Sequence, residues 1–186
     1  MMSTDYSRIN RREEDDVFEE LKYLDDLDIA IILTIGSEKL SHLKIQKIAF
    51  LASKMLGLES DAVGYAFGPF SETIMEKLTT GYLSDYIVKE GRNYTLKDRG
   101  LKVYKALSRK LAERGKENEL KAIETLRKLP EEKILLLTYH LYPEHTKESK
   151  IIDIIERMKK EMKEKYSKLV RIERPQENVV VLEIDV

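Results

Sequence analysis

Cysteine is missing from all 186 residues. That absence excludes a disulfide framework and a thiolate metal site. No apolar run approaches the roughly 18 residues that a membrane-spanning helix needs, so no membrane partner is expected. The opening residues, MMSTDYSRINRREEDD, hold no apolar stretch of the signal-peptide kind, and the expected location is cytoplasmic. An excess of one charge is lacking too, since 33 Lys and Arg nearly cancel 34 Asp and Glu to leave a net −1. There is no Gly-rich phosphate loop, and GPFS at 68–71 lacks the Gly-x-Ser-x-Gly frame of a nucleophile elbow. Of the histidines, His42 stands alone, while Pro143 denies His140 and His145 a shared helical face. The chain therefore reads as a non-enzyme, with no cofactor and no metal expected.

Hydrophobic residues make up 42% of the chain, enough for a core, and 36% of residues are charged. A Lys- and Glu-rich, cysteine-free composition is common among thermophile proteins. The near-zero total hides local asymmetry. Residues 13–28 carry nine acids against the single base Lys22, whereas residues 86–110 carry eight bases against Glu90 and Asp98. A basic face is thus compatible with the total, and the acidic run is placed to neutralise it.

The rest of the chain is organised around SHLKIQKIAFLASKML, residues 41–56. Ser41 is a good N-cap, Leu40 and Ile45 stand at the positions of a hydrophobic staple, and Gly57 follows at the C-cap position. At 100° per residue, Ile45, Ile48, Ala49, Ala52, Met55 and Leu56 form one apolar stripe, with Leu43 and Phe50 on the opposite side. A helix apolar on two sides is a buried hub. Lys44, Lys47 and Lys54 share a ridge between the stripes, which reads either as a solvated flank or as contact with an acidic surface or phosphate.

Around the hub the periodicity predicts a helix from about residue 15, continued or restarted through Ile35 and ended by Gly36. Tyr65-Ala66-Phe67 favours a short extended piece, which Gly68-Pro69 breaks. Ser71 caps a helix over 72–80 whose open face is expected to show Glu72, Thr73, Glu76, Lys77 and Thr80. Residues 85–90 and 92–96 read as a hairpin about Gly91. Thr95 and Asp98 fit a capping box for a helix to about residue 114. Further helices follow, closed by Pro130 and Pro143, and then a long one over 148–166. Alternation in VVVLEIDV predicts a terminal hairpin.

Three helices, a hairpin and another helix is the order of a winged helix. KIQKIAFLA (44–52), YAFGPFSETI (65–74), GYL (81–83) and YTLKDRG (94–100) resemble a group of prokaryotic winged-helix proteins. The chain is similar there to predicted archaeal and bacterial transcriptional regulators, and more distantly to the Panacea antitoxin domain. The resemblance covers about residues 28–107. It departs from the family pattern at Lys97, where a threonine is the rule.

The expected fold is accordingly mainly α: a winged helix-turn-helix domain at 16–114 after a flexible arm at 1–15, with a helical extension at 115–168 and a β-hairpin tail at 169–186. The resemblance implies a DNA-binding transcriptional regulator acting as a homodimer. Lys89, Arg92 and Lys97 on the wing would grip the phosphates of double-stranded DNA, with Lys44 and Lys47 on the hub and Thr73, Lys77 and Thr80 facing the bases. Ile151, Ile155, Met158 and Met162 have the spacing of a short dimerisation seam. Two features oppose simple DNA reading: the long link before Ser71, and two glutamates on the third helix. The alternative is a protein-interaction module, antitoxin- or adaptor-like, on the same scaffold.

Overall fold

The computed structural model describes residues 17–146 and 149–165. The expected arm at 1–15 and the expected terminal hairpin at 169–186 lie outside the described residues.

The architecture is mainly helical with two small antiparallel sheets. Residues 17–20 are helical and tighten into a 3-10 turn at Leu21–Tyr23. The chain then restarts as α1 (Asp26–Ile35). Strand β1 (Leu40–Ser41) leads into α2 (His42–Leu56). A hairpin, β2 (Val63–Tyr65) and β3 (Gly68–Phe70), precedes α3 (Glu72–Thr79). A second hairpin, β4 (Ile87–Glu90) and β5 (Asn93–Leu96), precedes α4 (Asp98–Glu113). Then come α5 (Glu117–Lys128), α6 (Glu131–Leu141), a 3-10 turn at Pro143–Thr146, and α7 (Ile152–Lys165).

Helix α2 is the hub that its pattern implies. Ser41 Oγ accepts from the Lys44 amide at 3.2 Å, and Gly57 closes the helix. Both apolar sides are used, so Ile45, Ile48, Ala49, Phe50 and Ala52 are buried. They pack against α1, α5, α6 and β3, with β1 and α3 alongside. Helix α1 is equally enclosed: Ala30, Ile31, Ile32, Leu33 and Ile35 have no exposed surface. A helix apolar all round belongs inside a core.

Strand β5 lies in the middle of a three-stranded sheet of order β1-β5-β4. Leu40 stands opposite Tyr94, and Glu90 opposite Asn93, leaving Gly91-Arg92 as a two-residue turn. The β2–β3 pair forms the other sheet, with Val63 opposite Phe70 and Tyr65 opposite Gly68.

Three expectations about local structure are corrected. Gly68-Pro69 does not break the extended piece, because both residues form β3, on a two-stranded sheet where proline's missing N–H is tolerated. Gly68 has φ +78°, and a Cβ there would come within 2.7 Å of the Tyr139 ring, so the ring packs where only glycine fits. The Thr95–Asp98 capping box does not form: Thr95 pairs with Val88 in the sheet, and α4 starts after Lys97 with no side-chain cap. Finally, Ile155 is buried against Leu136 and Tyr139 of α6, with Ile151 and Met158 packed beside it. That face of α7 is covered by its own chain and cannot also be the expected seam; the Met162 side chain lies outside those described.

Candidate interaction surfaces

Helix α3 is held in place from three directions, by Gln46, by Asp61 and by Asp25 with Asp28, and the bonds that hold it decide what it can present. Gln46 of α2 clamps the Ser71 backbone, donating to its carbonyl at 2.9 Å and accepting from its amide at 3.0 Å. Ser71 Oγ accepts from the Ile74 amide at 3.0 Å, the N-cap bond that its position predicts. The same hydroxyl donates to Asp61, whose other oxygen accepts from Thr73 Oγ1 at 2.7 Å.

The strongest restraint is electrostatic. Asp25 and Asp28 form a reciprocal capping box at the start of α1: the Asp28 amide donates to Asp25 Oδ1 at 2.8 Å and the Asp25 amide to Asp28 Oδ2 at 3.1 Å. Each carboxylate keeps its second oxygen for Lys77 Nζ, at 2.6 Å and 2.8 Å. Burial alone would lower the Lys77 pKa, but the two carboxylates outweigh it and hold the ammonium above its ordinary value. Burial raises the Asp28 carboxyl against the pull of Lys77, whereas on Asp25 the Lys77 bond overcomes burial and lowers it. The Tyr82 ring covers Lys77 Nζ at 4.3 Å from its centroid.

The expected open face of α3 is therefore altered. Lys77 is turned inward and buried, and the exposed positions are Glu72, Met75, Glu76, Thr79 and Thr80. Thr79 and Thr80 donate their hydroxyl protons to the carbonyls of Met75 and Glu76, at 2.7 and 2.8 Å. Thr73 has given its proton to Asp61. Of the three residues expected to face bases, the two threonines have already given their hydroxyl protons within the chain, and Lys77 is withheld by burial and by its two carboxylates.

Of the hub lysines, Lys44 and Lys47 are also withdrawn from the expected phosphate contacts, while Lys54 is exposed. Lys47 is 2% exposed and donates to the Pro69 carbonyl at 2.5 Å. No carboxylate among the described residues pairs with it, and burial pushes its pKa down to about 8. Lys44 donates to the Arg127 carbonyl at 2.6 Å, and burial lowers its pKa against the pull of Glu131 and Glu38.

The β4–β5 hairpin keeps an exposed cationic tip. Lys89 and Arg92 are exposed, and Lys89 lies 5.7 Å from the Tyr94 ring centroid. Lys97 is exposed but donates to the Ser84 carbonyl at 2.5 Å, which ties it to the hairpin base. The acidic N-terminal run does reach this region. Glu20 pairs with Arg99 at 2.7 Å and accepts from the Tyr86 hydroxyl, leaving the tip itself uncovered by any described residue.

Comparison with protein-family models, curated proteins and solved structures found no match to this chain. The functional reading rests on the surfaces alone. Among the described residues there is no group of His, Asp and Glu able to hold a metal, and no helix long and apolar enough to cross a membrane. The residues that sequence reasoning missed are Asp25, Asp28 and Asp61. The Asp-x-x-Asp spacing before an apolar run signals a capping box and was readable. Nothing in the sequence ties Asp61 to Ser71 across a hairpin.

Proposed function

We propose that the chain is a protein-interaction module built on a winged-helix scaffold. Supporting the scaffold is the order α1-β1-α2-α3-β4-β5-α4 with sheet order β1-β5-β4, into which the β2–β3 hairpin is inserted before the third helix. That insertion accounts for the long link after Gly57.

One observation carries the interaction reading. The helix at the recognition position turns Glu72 and Glu76 outward and spends its only lysine on Asp25 and Asp28. Two carboxylates facing a groove walled by phosphates are repelled, and no cation on that helix offsets them. A second reading, DNA binding by a transcriptional regulator, is favoured by the exposed tip at Lys89 and Arg92. It would rest on backbone contact rather than base reading.

The two readings separate in a paired experiment. The tagged full chain is recovered from its native host, and the purified protein is titrated with duplex DNA from its own upstream region. The interaction reading expects a stoichiometric protein partner, retained when Lys89, Arg92 and Lys97 are changed to Ala, and no duplex shift at 0.15 M salt. A duplex shift that falls steeply with salt, vanishes in the triple variant and needs no partner overturns it in favour of the second reading.

A further inference from the structure

Between Met55 and Val88 the chain has a single basic residue, Lys77, against Glu59, Asp61, Glu72, Glu76 and Asp85. Lys77 is sealed in its double bridge, so this stretch presents no basic side chain at its surface. The same stretch leaves large apolar side chains in the open: Val63 is 59% exposed, Tyr65 57%, Met75 42% and Tyr82 63%.

These side chains belong to connected backbone. Asp61, Val63 and Tyr65 are alternate residues, and an extended chain sends alternate side chains to one side. Asp61 at one end of the row is bonded to Ser71 and Thr73 at the start of α3. Tyr65 at the other end stacks on Phe70 at 5.3 Å between ring centroids. Along α3, Met75 lies on one side of the Glu72–Glu76–Thr79 ridge, while Tyr82 lies on the other, over Lys77. Met75 on a helix held by hydrogen bonds, with Tyr65 on β2 before it and Tyr82 in the turn after it, offers apolar anchors beside carboxylates that need little ordering to bind.

We propose that the β2–β3 hairpin and the outward face of α3 form one docking surface for a lysine- or arginine-rich amphipathic segment of a partner protein. This rests on the interaction reading and names its partner's chemistry. Glu72, Glu76 and Asp61 meet the partner's cations, while Val63, Tyr65, Met75 and Tyr82 receive its apolar side chains. Within residues 56–87 no base is exposed, which disfavours acidic segments and nucleic acid at Glu72 and Glu76; Lys150, exposed and bonded through its amide to the Ala66 carbonyl, is a base beside the hairpin turn.

The test uses the full chain and a synthetic 14-residue Leu/Lys peptide with helical amphipathic spacing, its Leu/Glu twin, and a Leu/Lys peptide of scrambled order. Binding is read by fluorescence anisotropy at 0.15 M salt, with amide chemical shifts mapping the contact. The ordered Lys peptide should bind at least tenfold more tightly than either control and shift residues 61–65 and 72–82. Glu72→Lys with Glu76→Lys should abolish its binding, Tyr65→Ser with Met75→Ser should weaken it about tenfold, and Arg92→Ala should leave it unchanged. Equal binding of the Glu twin, shifts confined to residues 17–28, or undiminished affinity in folded variants overturns the proposal. So does self-association lost in Tyr65→Ser/Met75→Ser by sedimentation equilibrium, because the occupant would then be a second copy. A native partner that binds wild type and Glu72→Lys/Glu76→Lys equally removes this surface while leaving the interaction reading intact.

Discussion

Lys47 offers a direct test of how the core of this fold is held together. Its ammonium is buried against the Pro69 carbonyl with no carboxylate of the described residues paired to it, and burial lowers its pKa from 10.5 to about 8. At about 1.4 kcal/mol per pH unit, that difference is about 3 kcal/mol of charge burial carried by the folded state at neutral pH. The sign follows from proton counts. Between pH 8 and 10.5 the unfolded chain holds a proton on this lysine that the folded chain has released, so stability rises with pH across that window. Below pH 8 both states are protonated and that gain is gone. Lys47→Met removes the titration, fills the same volume, and leaves the Pro69 carbonyl without its bond, a loss of about 1–3 kcal/mol. The two effects nearly offset at pH 7, where the variant should lie within about 1 kcal/mol of wild type. By pH 10 wild type should have gained about 2–3 kcal/mol on the variant. Tyr86, pushed up to about 12 by burial and by Glu20, costs stability only above pH 10 and acts on both proteins alike. Urea unfolding followed by circular dichroism at pH 7, 8, 9 and 10 measures the difference. Parallel stability curves for the two proteins would refute the reasoning, as would a lysine side-chain NMR titration placing this ammonium near 10.5.

Other bonds make shorter predictions. Lys77→Met strips Asp28, which is 1% exposed, of its counter-ion and should cost about 3–5 kcal/mol at pH 7. The loss should shrink as acid neutralises the orphaned carboxyl, which urea unfolding at pH 7 and pH 4 reads. Gly36→Ala meets a backbone at φ +52° and a Cβ 2.2 Å from the Arg127 guanidinium. It should lower the thermal midpoint by several degrees, corresponding to about 2–4 kcal/mol. Ser71→Ala deletes an N-cap and one of the partners of Asp61, and should cost about 1–2 kcal/mol while speeding amide exchange at the start of α3.

Much of the fold was legible because local signals decide local structure. The Ser41 and Ser71 caps, the Gly36 and Gly57 stops and the two-sided apolar pattern of α2 set those helices within a residue or two. What escaped was chemistry settled by distant neighbours. The third-helix pattern gave Lys77 an open position, yet carboxylates 49 and 52 residues away draw it inward. Lys47 read as a flank because the segment that covers it, β3, was itself expected to be a break. The Thr95 cap failed for a similar reason: β1 and β4 claim β5 as the middle strand, so Thr95 stays extended and the helix begins three residues later. The apolar stripe of α7 has the spacing of a dimerisation seam, but α6 of the same chain covers Ile155, a neighbour that the spacing alone does not reveal.

Orientation and recognition are coupled at α3. The helix meets the rest of the molecule through a double bridge, buried at Lys77 and Asp28 and exposed at Asp25, and that bridge consumes its only positive charge. A lysine turned outward to meet phosphate would leave Asp28 unpaired in the core and the helix unpinned, so the same side chain cannot serve both purposes. Exposed cations lie instead on other elements, among them Lys89 and Arg92 on the β4–β5 hairpin and Lys102 and Lys105 on α4. A ligand that needed both a cationic tip and a cationic reading helix would find only the first. The proposed partner, bringing its own cations to Glu72 and Glu76, would find satisfied hydroxyls and an exposed Met75 on the same helix, which is why the chemistry of that face outweighs the charge of the hairpin in the function proposed.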